Sequence, residues 1–181
     1  MSKQPDERAE RFVALYEATY ADLVRFAQRR VPEVQAEDTV AEAFLAAWRR
    51  LDDAPAQLPD ARAWLFGIVR NTILNSHRGA RRQRAVAVRL AEIVETSLPD
   101  DTELVARQVD LTRAWARLSA VHQEALALAV IDDLPSREAA AVLGITSVAY
   151  RLRLSRARNA LRGQLDHRPT TPARVTERQP T

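Results

Sequence analysis

Cysteine is absent from this chain, and with it go disulfides, thiolate nucleophiles and every zinc site built on sulfur. The composition is compatible with a reducing cytoplasm. Glycine occurs only four times in 181 residues, and no phosphate-cradling glycine loop, GxSxG or HExxH pattern is present. His77, His122 and His167 lie far apart, with no pair at metal-ligand spacing. The carboxylate pairs Asp52 with Asp53 and Asp100 with Asp101 fall in loop sequence, where solvation accounts for them. No apolar run approaches the roughly 20 residues that span a bilayer, and the opening MSKQPDERAERF lacks the apolar core of a signal peptide. These absences predict a cytoplasmic binding protein without membrane insertion, catalytic constellation, metal or cofactor.

What is present is arginine. Lys3 is the only lysine, so the net charge of +3 rests on guanidinium groups, and these are clustered. Acids gather in residues 33–42 and 92–103, bases in 78–89 and 151–162. Alternating blocks of this kind suit more than one partner, of opposite sign.

Helical periodicity dominates, and no alternating β pattern is found. Phe12, Leu15, Tyr16, Thr19, Leu23, Phe26 and Ala27 make one stripe of a helix that Val31 and Pro32 end. A second helix is expected from Gln35, burying Val40, Phe44, Ala47, Trp48 and Leu51, with Asp38 and Glu42 on its other face. After a loop over 52–60, Asp60 is a candidate cap for a third helix that buries Leu65, Ile68, Val69, Thr72 and Ile73. Trp64 stands there among Arg62, Arg70, Asn71 and Asn75, where an aromatic ring can stack on an unpaired base or simply fill a core. Residues 79–112 lose this regularity and read as a linker with some helical content. Helices resume from Glu103 with Leu111, Trp115 and Leu118 on one stripe, and the nearly continuous apolar run 122–131 suits a buried central helix. The proline-rich end beyond Gln164 has nothing to bury and is expected to be disordered.

The segment LPSREAAAVLGITSVAYRLRLSRARNAL, residues 134–161, reads as two short helices around a tight turn. Ser136 is a candidate cap for the first helix, Gly144 can end it in the left-handed conformation, and Thr146 can cap the second. Tyr150, Leu154, Ala157 and Leu161 form the apolar stripe of that second helix, leaving Arg151, Leu152, Ser155 and Arg156 on the exposed part of its first turns. A helix-turn-helix enters the DNA major groove in this manner. An ordinary helical hairpin with a solvated basic face is the alternative reading of this segment.

The order of parts resembles a group IV, or extracytoplasmic-function, sigma factor of bacterial RNA polymerase. The resemblance rests on AEDTVAEAFLAAW at 36–48, RAWLFGIVRNTILNSHR at 62–78 and the segment from Leu118 to Leu161. It implies an all-α fold of two small helical domains joined by a flexible linker. Residues 8–84 would be the region 2-like domain, 85–102 the linker, 103–166 the region 4-like helix-turn-helix domain and 167–181 a disordered tail.

The resemblance also assigns roles. Asp38, Glu42, Phe44 and Trp48 match positions that dock on the β′ clamp helices of the polymerase core. Trp64, Arg70, Asn71, Asn75 and Arg78, with Arg81 and Arg82, match those that capture the melted minus-ten strand. Thr146, Arg151, Leu152, Ser155 and Arg156 match the minus-thirty-five reader, whose domain rests on the β flap. An anti-sigma factor is implied as the regulator. The chain departs from the family at Leu152, where relatives carry a small polar residue, and at Tyr150, where they carry a small aliphatic one. An exposed leucine can meet a thymine methyl but donates no hydrogen bond. The competing readings are a stand-alone helix-turn-helix regulator of duplex DNA and, more distantly, a nucleic-acid enzyme.

Overall fold

The computed structural model describes residues 3–76, residue 88 and residues 102–166. Helices α1 (Lys3–Gln28), α2 (Glu33–Arg49) and α3 (Leu58–Ser76) form the first half, with a 3-10 turn, Leu51–Asp53, between the last two. Helices α4 (Thr102–Ala116), α5 (Ala120–Val130), α6 (Ser136–Leu143) and α7 (Ser147–Asp166) form the second. No strand occurs among the described residues, in keeping with the all-α expectation. The expected tail, Arg78 with Arg81 and Arg82, and the expected linker apart from Val88 and Thr102 lie outside the described residues.

In the first half all three helices pack on one another. Ala36, Ala43 and Ala47 are fully buried and put only methyl groups between α2 and its neighbours, while Leu23, Val40, Leu65, Val69 and Ile73 fill the centre. Phe26 meets Phe66 edge to face at 4.9 Å. Arg8 donates to the Asp52 carboxylate at 2.6 Å and to the Trp48 carbonyl at 2.7 Å, and Arg11 donates to the Ala54 carbonyl at 2.6 Å. The N-terminal turns of α1 thereby hold the loop that leads into α3.

Details differ from the sequence reading. Helix α2 starts at Glu33, earlier than Gln35, because Pro32 sits at the cap with its φ already fixed. Asp60 is not a cap: α3 begins at Leu58, and Asp60 falls in its first turn. Ser136 is the first residue of α6, and Pro135 holds the cap position. Trp48 is 38 % exposed and Tyr16 39 % exposed, because both lie at the outer edge of the α1–α2 seam.

In the second half α5 buries Ala125, Leu126, Ala127 and Leu128 together with Gln123 and Glu124, and α6 and α7 pack against it. Ser119 accepts from the His122 amide at its N-terminus. Gly144 adopts φ +64° and ends α6, letting the Ile145 amide reach the Ala140 carbonyl at 3.0 Å. Thr146 accepts from the Ala149 amide at 3.1 Å and caps α7. Tyr150 is fully buried and donates its hydroxyl to the Ala125 carbonyl at 3.0 Å, which pins α7 to α5. Inside the expected linker, Val88 is buried: its carbonyl accepts from the Trp115 indole at 2.8 Å and its amide donates to Gln123 at 3.3 Å.

The halves also share an interface, because α6 lies along α3. Ion pairs ring this contact. Arg70 forms a two-pronged pair with Glu124, at 2.7 and 3.2 Å, with both side chains buried. Asp132 receives Arg30 and Arg29, each at 2.8 Å. Asp133, at φ +47°, makes the turn that carries Asp132 inward. Arg137 reaches Asp60 at 3.0 Å, and Arg62 lies 3.9 Å from Glu138. Arg30 also lies 3.5 Å above the Phe26 ring, and its burial lowers its pKa while Asp132 pulls it back up.

Candidate core-polymerase and DNA interfaces

Three surfaces carry the residues singled out in the sequence. The first is the outer face of α2. Asp38 and Glu42 are exposed there beside an aromatic groove of about 550 Å³ lined by Phe12, Tyr16, Tyr20, Phe44, Leu45 and Trp48. Phe44 is buried beneath the rings, 4.8 Å from Tyr16 and 5.9 Å from Phe12. Trp48 stands at one end, edge-on to Phe12 at 5.1 Å and under the Arg8 guanidinium at 5.1 Å. Leu45 is 58 % exposed and gives the groove an open apolar wall. The α1 contribution was missed in the sequence, although Phe12, Tyr16 and Tyr20 stand at i, i+4 and i+8 and so share one face of α1.

The second surface is α3. Trp64, Asn71 and Asn75 recur at seven and four residues and share a face with Gly67 and Ile68. Trp64 is half-buried, and Asn71 and Asn75 are exposed. In this arrangement the face borders a cleft of about 590 Å³, closed on its far side by Arg137 and by Ala141 to Gly144 of the helix-turn-helix. A methyl group built on Gly67 would stand 3.8 Å from the Val142 Cα, ordinary contact distance, so the helices are near each other without being forced. Arg70 is turned away from solvent toward Glu124.

The third surface is the front of α7. Tyr150, Leu154 and Ala157 are buried, and Arg151, Leu152, Ser155 and Arg156 are exposed on the other side, with Thr146 exposed at the cap. Val148, which the sequence reading passed over, is 67 % exposed on the same side. The signal available was its place four residues before Leu152 and outside the Tyr150 stripe.

Residues 15–83 match the Sigma-70 region 2 family and residues 108–161 the Sigma-70 region 4 family. The chain is 33 % identical over 151 residues to the ECF RNA polymerase sigma factor SigL of Mycobacterium tuberculosis, an alignment covering 82 % of this chain and 85 % of that protein. The chain belongs to the extracytoplasmic-function sigma factors. It is likewise 33 % identical over 146 residues to the sigma factor CnrH of Cupriavidus metallidurans, covering 75 % of this chain and 76 % of CnrH. A solved structure of CnrH in complex with the cytosolic domain of CnrY superposes with a TM-score of 0.56 at 30 % identity, over 86 % of this chain and 87 % of that one. The fold is shared as well with RpoE of Bartonella quintana, solved with the anti-sigma factor NepR, at TM-score 0.54 and 24 % identity, over 89 % of this chain and 98 % of that one.

The function is therefore that of an RNA polymerase sigma factor, which directs the core enzyme to promoters and initiates transcription. The stand-alone regulator is not favoured. No helix among the described residues is long and apolar enough to cross a membrane.

Proposed function

We propose that this sigma factor divides its work among the three surfaces. The α2 face docks on the β′ clamp helices through Asp38 and Glu42, with Phe44 and Trp48 supporting the aromatic groove beside them. The α3 face, through Trp64, Asn71 and Asn75, captures bases of the melted minus-ten strand, and Arg78 holds a phosphate beyond it. The front of α7, through Arg151, Leu152, Ser155 and Arg156 behind the Thr146 cap, reads the minus-thirty-five duplex while its domain rests on the β flap. The protein works in the cytoplasm by binding alone and catalyses no reaction of its own.

The observation that carries this reading is the separation of faces on α7: a stripe that is buried at Tyr150, Leu154 and Ala157, and a basic front that is exposed at Arg151 and Arg156. A flipped or unstacked base costs a few kcal/mol, which stacking on Trp64 and edge contacts to the two asparagines are suited to offset.

The shared interface adds a condition. With α6 lying along α3, Arg137 and Ala141 to Gly144 line the cleft beside Trp64 and Asn71, and Arg70 is paired with Glu124. Promoter engagement on this reading separates the two halves and releases Arg70 toward the backbone. An anti-sigma partner, of the kind solved with RpoE of Bartonella quintana, would act by holding the halves together.

The test is core binding. The variant Asp38→Arg places a cation on an exposed helix position, so it keeps its helicity and melting temperature but no longer co-migrates with core polymerase. Retained core binding with an unchanged affinity would remove α2 from the contact.

A further inference from the structure

At about 100° per residue, the buried stripe of α7 and its most outward line can be placed from the sequence positions alone. Tyr150, Leu154 and Ala157 centre on one side of the helix, and the line opposite them passes between Val148 and Leu152. The two side chains are 67 % and 52 % exposed and lie one turn apart. Arg151 flanks this line on one side and Arg156 on the other, each displaced by roughly 60–80°. The outermost part of a recognition helix is thus aliphatic, and its charges stand to either side.

Resting on the minus-thirty-five reading of α7, we propose that Val148 and Leu152 are specificity-determining residues that read the C5-methyl groups of thymines in the upstream element. The surroundings commit the occupant to nucleic acid rather than to an apolar protein surface. Arg151, Arg153, Arg156, Arg158 and Arg162 make the helix strongly basic, which attracts a phosphate-lined groove and opposes burial against a neutral protein. In the major groove the only apolar group that a base presents is the thymine methyl. Side chains four residues apart are separated by about 6 Å along the helix, close to the rise of two base pairs, so the pair can meet methyls about two base pairs apart. Neither side chain donates or accepts a hydrogen bond, so recognition at these steps depends on shape and methyl contact. Arg151 is placed to add a guanine contact at the edge of the same patch.

The experiment uses full-length protein with core polymerase on a promoter obtained by transcription in vitro, replacing each thymine of the upstream element in turn by deoxyuridine, which lacks only the methyl. Removal of a contacted methyl lowers promoter affinity about 4-fold, the value expected for exposing one buried methyl group. Discrimination between thymine and deoxyuridine is lost at one position in Leu152→Ala and at another in Val148→Ala. Both positions are exposed, so neither change disturbs the core. Equal affinity for thymine and deoxyuridine at every upstream position would overturn the proposal and leave the minus-thirty-five reading standing, as would discrimination that survives in both alanine variants. Indifference to the whole upstream element would overturn the minus-thirty-five reading itself.

Discussion

Arg70 and Glu124, 54 residues apart in the chain, join the region 2 and region 4 halves through a two-pronged ion pair at 2.7 and 3.2 Å. A guanidinium on a helix next to Asn71 is the residue type expected to hold a DNA phosphate, and here it holds a carboxylate that resembles one in charge and shape. On the proposed reading the same side chain serves the closed protein and the promoter complex in turn, with Glu124 as the internal competitor.

Breaking this pair from one side removes a charge-assisted contact from a buried site. Glu124→Leu is expected to destabilise the protein by about 1.5–3 kcal/mol, and Arg70→Met combined with Glu124→Leu to cost less than the sum of the two single changes. Urea denaturation of the singles and the double measures the difference. Single variants of near wild-type stability, with additive effects in the double, would mean that the halves are not held by this contact.

Much of the second half was legible because its signals are local. Gly144 at a left-handed turn, Thr146 capping the next helix and the Tyr150, Leu154, Ala157 stripe all act within a few residues, and each is where the spacing put it. The cap at Ser136 was misjudged because Pro135, with no amide hydrogen and a fixed φ, starts the helix one position earlier. Asp60 was misjudged for the same reason in reverse: the helix starts at Leu58 with Pro59 in its first turn. Trp48 and Tyr16 obeyed the apolar period but lie at the rim of the seam, where period alone does not separate a covered position from an open one. The α3–α6 interface was not legible at all. The ion pairs around it join residues 54 to 103 positions apart, and a single chain carries no sign of whether an arginine faces a phosphate, a carboxylate or water.

The Tyr150 phenol spans the gap between α7 and α5 and donates to the Ala125 carbonyl. Burial pushes this phenol up to about 12, against a smaller opposing pull from Arg158. The folded protein therefore keeps a proton between about pH 10 and 12 that the unfolded chain has already released, and stability falls as the pH rises through that window. Ultraviolet titration is expected to show a phenol proton released only toward pH 12, a step that disappears in Tyr150→Phe, along with a shallower loss of stability across the window. Removing the hydroxyl costs about 1 kcal/mol near neutral pH. A tyrosine titration curve left unchanged by Tyr150→Phe above about pH 11 would contradict the buried hydrogen bond.

The most direct test of the sigma-factor account is transcription in vitro, with purified chain and bacterial core polymerase on a pool of genomic promoter fragments, followed by sequencing of the RNA 5′ ends. The account predicts discrete starts that require the chain and share two upstream elements at fixed spacing. Active core polymerase that yields no chain-dependent start, alongside a chain that binds duplex fragments without the core, would contradict it.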